Sequence, residues 1–333
     1  MTGIGDLARM IASRHQQARL TRQLTQSSVE LSTGVVQDKT RHLRGDTKLL
    51  TGLDRDLTRL GAFDQSIKEA LVRASALQLR LERVTEGTED LVGVLARFSS
   101  TPLERREADI AAQARATLDN AIQQLNARNT GSALFSGTAT DRSPLPNSDA
   151  LVTAIRQIVD AGGNAESMVQ AVDNWLDAPD GFLAEIYGGA TSDRLPVTTA
   201  EGQSIQLSAR ADDPVLRQVL AYSALVVAVA EGADAIPAVE RKNLYDSIAS
   251  RMVGAQDGIT AIQANLGLAE SRLEQALSRQ EAERFAIETM RNELIGADRF
   301  AAATKLQSIQ QNLESLYAAT ARSAQLSFAG FLR

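Results

Sequence analysis

Between residues 60 and 98 the apolar positions fall into two interleaved series. Leu60, Ile67, Ala74, Leu81, Thr88 and Leu95 are each seven apart, and Phe63, Ala70, Leu77, Val84, Leu91 and Phe98 follow three residues behind. A 3-4 alternation held this long predicts a long helix whose seam is covered by other helices, because an isolated surface helix has no use for so regular a stripe. Leu60, Phe63, Ile67, Leu77, Leu81, Val84, Leu91 and Leu95 are therefore the expected seam of a helical rod. A helix over 52–99 would be about 70 Å long.

The same period returns near the other end. Leu266, Leu273, Gln280, Ile287 and Leu294 are seven apart, and after Ile295-Gly296-Ala297-Asp298 a new phase begins with Leu306, Ile309, Leu313 and Leu316. A change of phase at a Gly-Ala-Asp break predicts two helices in different packing environments. Near the start, a helix is expected from about Asp6 to Leu31, including Leu24, with a break at LSTG (31–34).

The seven prolines all lie between Pro102 and Pro237, leaving both ends free of the helix-breaking ring. Thr101-Pro102 with Glu104 reads as the cap of a return helix through Ile110, Leu118, Ile122 and Leu125. The loop-like ARNTGSALFSGTATDRSPLP follows it. Helices are expected at 149–161 and 165–176, a hairpin around Glu201-Gly202, and a further helix capped by Asp212-Asp213-Pro214. These elements predict a mainly α fold. Its N- and C-terminal arms would pair in a long antiparallel bundle or coiled-coil rod, carrying a small inserted α+β domain. Three parts are expected: 1–42 with 298–333 as a terminal helical pair, 43–140 with 213–297 as a helical rod, and an exposed domain at 141–212.

Composition narrows the chemistry. There is no cysteine, which removes disulfides and thiolate sites. His15 and His42 stand in polar sequence away from any ligand cluster. Asp173, Asp177, Asp180 and Asp193 lack calcium-loop spacing and read as surface acids, while Trp175, Phe182 and Tyr187 read as core of the small domain. The glycine pairs at 162–163 and 188–189 lack the context of a phosphate loop. No catalytic residue, cofactor or metal site is expected.

Net charge is −6, with 14 acids against 5 arginines in 141–234 and 10 basic residues against 6 acids in 1–60. The N-terminal arginines are spread along a helix without aromatics, so nucleic acid is not an expected partner. MTGIGDLARMIASRHQQARL lacks a continuous apolar core and does not read as a signal peptide, and the most apolar stretch, ALVVAVA at 224–230, is short for a membrane span.

Three stretches together resemble one family, the bacterial flagellin-like axial proteins. They are QLTQSSVELSTG (23–34), QQLNARNTGSALFSGTATDRSPL (123–145) and IGADRFAAATKLQSIQQNLESLYAATARSAQLSFAGFLR (295–333). Within that family they are most similar to the hook-filament junction subunits of the hook-associated protein 3 type, chiefly through Leu-Phe-Ser-Gly-Thr. After LSTG the family carries a proline that VVQDKTRHLRGDTKLL lacks, so the resemblance gives no conformation for 35–48.

The resemblance implies a non-enzymatic, motility-related structural subunit that self-assembles into a ring through its terminal helices. The neighbouring hook-associated protein and flagellin would be partners, and a chaperone would cover the C-terminal helix before type III export, without a cleaved signal peptide, to the extracellular flagellum. On that reading Leu24, Leu31, Leu306, Ile309, Leu313, Leu316, Leu326, Phe328, Phe331 and Leu332 meet neighbouring subunits. Filament flagellin and a cytosolic coiled-coil adaptor are the alternatives.

Overall fold

The structure, a computed structural model, describes residues 3–97, 107–232 and 236–331, with side chains for residue 8 and for 10–97, 107–232 and 236–322. It is mainly α. Ten helices and two small two-stranded sheets occur among the described residues, packed as two compact units. One unit takes the described residues up to Gly61 and from Gln280 onward; the other takes Ala62–Arg279.

The second unit is built on the predicted seam. Helix α3 (Lys48–Arg97) buries Ile67, Ala70, Ala74, Leu77, Leu81, Val84, Leu91 and Leu95, while Phe63 is only half-buried and Phe98 lies outside the described residues. Thr88 holds its seam position because its hydroxyl donates to the Val84 carbonyl at 2.7 Å, which leaves only its methyl to the core. Helix α4 (Glu107–Leu125) turns Ile110, Ala114, Leu118, Ala121, Ile122 and Leu125 inward. Its expected cap at Thr101, Pro102 and Glu104 lies outside the described residues. The two helices approach closely at Gly87, whose carbonyl accepts from the Thr117 hydroxyl at 3.0 Å and where a Cβ would sit 3.2 Å from Asn120 Nδ2.

Helix α8 (Pro214–Glu231) fills the centre. Asp213 caps it through the Val215 amide at 3.0 Å, Pro214 occupies its first turn, and almost every residue from Leu216 to Val229 is buried. The apolar run around ALVVAVA thus extends into an 18-residue helix that by length and composition alone could span a membrane; its burial among α4, α5 (Ser148–Asp160) and α6 (Ala165–Asp177) explains that composition. Helices α5 and α6, capped by Asn147 and Asn164, share one continuous apolar core with α3, α4, α8 and the first part of α9 (Ala238–Ile295).

The two sheets are hairpins. Strands β1 (Arg128–Asn129) and β2 (Ser132–Ala133) turn at Thr130-Gly131, where both residues have positive φ (47° and 81°), the combination of a tight primed turn. Strands β3 (Val197–Ala200) and β4 (Gln203–Ile205) turn at the expected Glu201-Gly202. Between the hairpins, Leu-Phe-Ser-Gly-Thr is a packing crossroads. Phe135 is fully buried, its carbonyl accepts from the Ala211 amide at 2.9 Å, and Ser136 accepts from Ala190 at 2.9 Å. At Gly137 (φ 62°) a Cβ would lie 2.4 Å from the carbonyl oxygens of Ala190 and Ser192, so only glycine fits.

The first unit contains α1 (Gly3–Thr33), the short α2 (Lys39–His42), the start of α3, the end of α9 and α10 (Arg299–Phe331). Leu53, Leu60 and Ile287 form a small core flanked by Leu57 and Leu294, and Arg291 Nε donates to Asp54 Oδ1 at 2.7 Å beside it. Residues 35–48, for which the resemblance gave no conformation, form one turn of helix capped by Asp38 and a left-handed corner at Arg44-Gly45.

Candidate assembly surface

Helices α1 and α10 pack on one another. Leu20 from α1 meets Ile309 and Leu313 from α10, with Leu24 and Leu316 half-buried at the margin. Residues four apart lie one above the other on a helix, so Leu20 and Leu24 form a short ridge beside the ridge of Ile309, Leu313 and Leu316. Polar groups flank the contact. Gln17 Nε2 donates to the Tyr317 hydroxyl at 3.1 Å, while the fully buried Ser27 hydroxyl has no hydrogen-bond partner among the described residues.

The pair is anchored where the two sequence breaks meet. The LSTG turn ends α1 at Gly34, whose φ of 69° places it in the left-handed region and whose amide donates to the Glu30 carbonyl at 2.9 Å. Just beyond it, Val35 and Gly296 form an isolated antiparallel bridge: the Val36 amide donates to Ile295 O at 3.0 Å and the Ala297 amide donates to Gly34 O at 2.8 Å. Position 296 takes glycine because a Cβ there would stand 2.5 Å from the carbonyl oxygen of Asn292, four residues earlier at the end of α9. Asp298 then starts α10, accepting from the amides of Phe300 at 2.9 Å and Ala301 at 3.1 Å.

Of the residues expected to meet neighbours, Ile309 and Leu313 are covered from within the chain, and Leu24, Leu31, Leu306 and Leu316 are half-buried. Leu326, Phe328 and Phe331 lie in α10 with side chains outside the described residues, and Leu332 is beyond them. The sequence reading missed a set of exposed apolar side chains in this unit. Phe300 is 83% exposed and Phe285 72% exposed, and Met10, Ile11 and Met290 are also open. Their signal was present as apolar residues off the heptad: Phe285 precedes the seam residue Ile287 by two, which turns it to the opposite side of α9.

The residues weighed for chemistry in the sequence are engaged in structural contacts or exposed. His15 and His42 are exposed. Asp173 accepts from Tyr222 at 2.6 Å and Arg251 at 2.7 Å, and Asp193 pairs with Arg210 at 2.6 Å. Burial, then the bond to Asp173, pushes the Tyr222 hydroxyl up to about 12. Trp175 packs edge-on to Phe182 with centroids 5.8 Å apart and donates to Glu185 at 3.2 Å, and the Tyr187 hydroxyl donates to the Ala190 carbonyl at 3.0 Å.

No family model matches the chain, and no curated protein matches it. Among solved structures, a Vibrio parahaemolyticus protein described as a "putative flagellar hook-associated protein" is similar over 74% of this chain and 95% of its own, with a TM-score of 0.53 and 16% identity. A likeness at that identity is one of backbone arrangement: the chain shares its mainly α fold with that protein.

Proposed function

We propose that the chain is a structural, non-enzymatic subunit of the bacterial flagellum. It is a hook-associated junction protein that links hook to filament by polymerising into a ring through its terminal helices. The observation that carries this reading is the closed pair of α1 and α10, joined at Val35–Gly296 by turns that belong to two of the three stretches carrying the sequence resemblance. The fold likeness to the Vibrio protein, which extends over nearly all of that chain, supports it.

On this reading the terminal pair, 1–42 with 298–333, forms the inner layer of the tube, residues 43–140 with 213–297 form the rod outside it, and 141–212 faces outward. Leu24, Leu31, Leu306, Leu316, Leu326, Phe328, Phe331 and Leu332 complete the contact with neighbouring copies, to which Ile309 and Leu313 contribute by fixing the pair. Hook-associated protein on one side and flagellin on the other are the neighbours. An export chaperone covers the end of α10 until the chain has left the cell.

The test is deletion of 306–333 in a flagellated host. The second unit keeps its own core and is expected to stay folded, whereas incorporation at the hook-filament boundary, read by immunogold electron microscopy, is expected to be lost. Filaments that grow normally on the truncated protein would overturn the reading.

A further inference from the structure

A groove of about 610 Å³ lies in the second unit between α3, the β1–β2 hairpin and the segment before β3. Arg73 from α3 and Arg194 from the segment before β3 both line it, and neither guanidinium has a carboxylate within ion-pair distance among the described residues. Glu69 also lines the groove; its Oε1 accepts from Gln65 Nε2 at 2.6 Å, and it makes no ion pair with either arginine among the described residues. Lys68, at the rim, pairs with Asp64 at 2.9 Å.

The two arginines are also short of hydrogen bonds. Arg73 Nε and Nη2 and Arg194 Nε are shielded from solvent and have no acceptor among the described residues. Arg194 is held in place from behind, its Nη2 donating to the Ser132 hydroxyl at 3.1 Å and to the Ala133 carbonyl. Burial and the facing Arg194 charge both pull the Arg73 pKa below its ordinary value. A desolvated cation beside a like charge is costly, and unsatisfied buried donors are rare in folded proteins. The like-charge cost is relieved by an oxyanion in the groove, whose lone pairs match the planar fork of guanidinium donors.

We propose that Arg73 and Arg194 form an oxyanion-binding site in this groove. A carboxylate, sulfate or phosphate group would seat in the groove against the two guanidinium groups, with Leu134 in the apolar lining and Ser132 keeping Arg194 in position. The ligand is either a small dissolved oxyanion or an aspartate or glutamate from a second copy, whose 141–234 region carries the chain's excess of acids. The site does not depend on the assembly reading, because it lies within one unit of one chain.

The test uses the full-length chain, unassembled, with arginine labelled by nitrogen-15. Sulfate and glutarate are titrated at constant ionic strength made up with chloride, and the arginine Nε–H signals are followed. The expected result is a saturable shift of the Arg73 and Arg194 signals, in the low millimolar range or tighter. Arg73→Gln or Arg194→Gln should abolish saturation at the remaining arginine while the circular dichroism spectrum is unchanged. Shifts that stay linear, or that survive both substitutions, would overturn the site.

Glutarate, free of sulfate's general salting-out effect, then separates the two sources. Where a second copy supplies the carboxylate, glutarate and Arg73→Gln both weaken self-association measured by sedimentation. Where the ligand is a dissolved oxyanion, self-association is indifferent to both and the saturable titration stands.

Discussion

The Ala297 amide donates to the Gly34 carbonyl across 2.8 Å, joining the turn that ends the first helix to the turn that starts the last one by main chain alone. Such a joint is insensitive to side-chain identity nearby but sensitive to backbone geometry. Gly34→Ala forces a Cβ into the left-handed region, and Gly296→Ala sets one 2.5 Å from a carbonyl oxygen. Each is expected to weaken closure of the first unit by about 1–3 kcal/mol. Hydrogen exchange at the Val36 and Ala297 amides reads this directly, and unchanged protection would show that the bridge does not hold the pair.

The α1–α10 contact has a small core, so it should open by itself. Ile309→Ala and Leu313→Ala are each expected to cost about 2 kcal/mol, near the lower end for buried aliphatics because little surrounds them. Both residues touch Leu20, so the double variant should lose less than the sum. Limited proteolysis is expected to cut α1 or α10 first while the core around α8 stays intact; simultaneous loss of both units would contradict this.

Arg73→Met keeps the aliphatic stem and removes two orphaned donors and a repelled charge. Without added oxyanion it should raise thermal stability, by about 1–3 kcal/mol. With saturating glutarate the advantage should shrink, because only the wild-type groove gains from the ligand. A drop in stability without ligand would mean that the arginine is satisfied in some other way.

Alkaline pH should unfold the chain through its buried tyrosines. The Tyr222 hydroxyl is raised from 10.0 to about 12, and those of Tyr187 and Tyr245 are also raised, chiefly by burial. A phenol whose folded pKa exceeds its unfolded one keeps its full stabilising share below pH 10 and loses it as pH climbs through the folded value. Stability should therefore decline between about pH 10 and 12, by about 1.4 kcal/mol per pH unit for each such phenol. Denaturant midpoints measured across that window check the slope, and Tyr222→Phe should make it shallower.

How far the sequence speaks depends on which physical signal each element leaves. The seam from Leu60 to Leu95 was legible because a heptad repeat marks the buried stripe whatever covers it, and the turns at Glu201-Gly202 and Asp298 were legible from local chemistry. The exposure of Phe285 and Phe300 was not, since an apolar residue carries no mark of being left uncovered. Nor was the meeting of Arg73 with Arg194: the first reads as one more basic residue on a helix, and only the hairpin between β1 and β2 brings the second into its groove. The start of the 18-residue helix was legible in Asp213-Pro214, but its nearly complete burial was not, because Tyr222 and Ser223 carry polar groups whose partners, Asp173 and the Val219 carbonyl, only the fold supplies.

The bridge between Val35 and Gly296 also sets an order of events. Its two halves are separated in sequence by the whole of the second unit, whereas that unit is one uninterrupted segment, Ala62–Arg279. Contacts within a segment form before contacts that must close a loop around it, so the α8-centred core should be complete while the chain's ends are still searching for each other. The terminal pair is then the slow, late step of folding: a clasp that shuts only after everything it encloses in sequence has already been made.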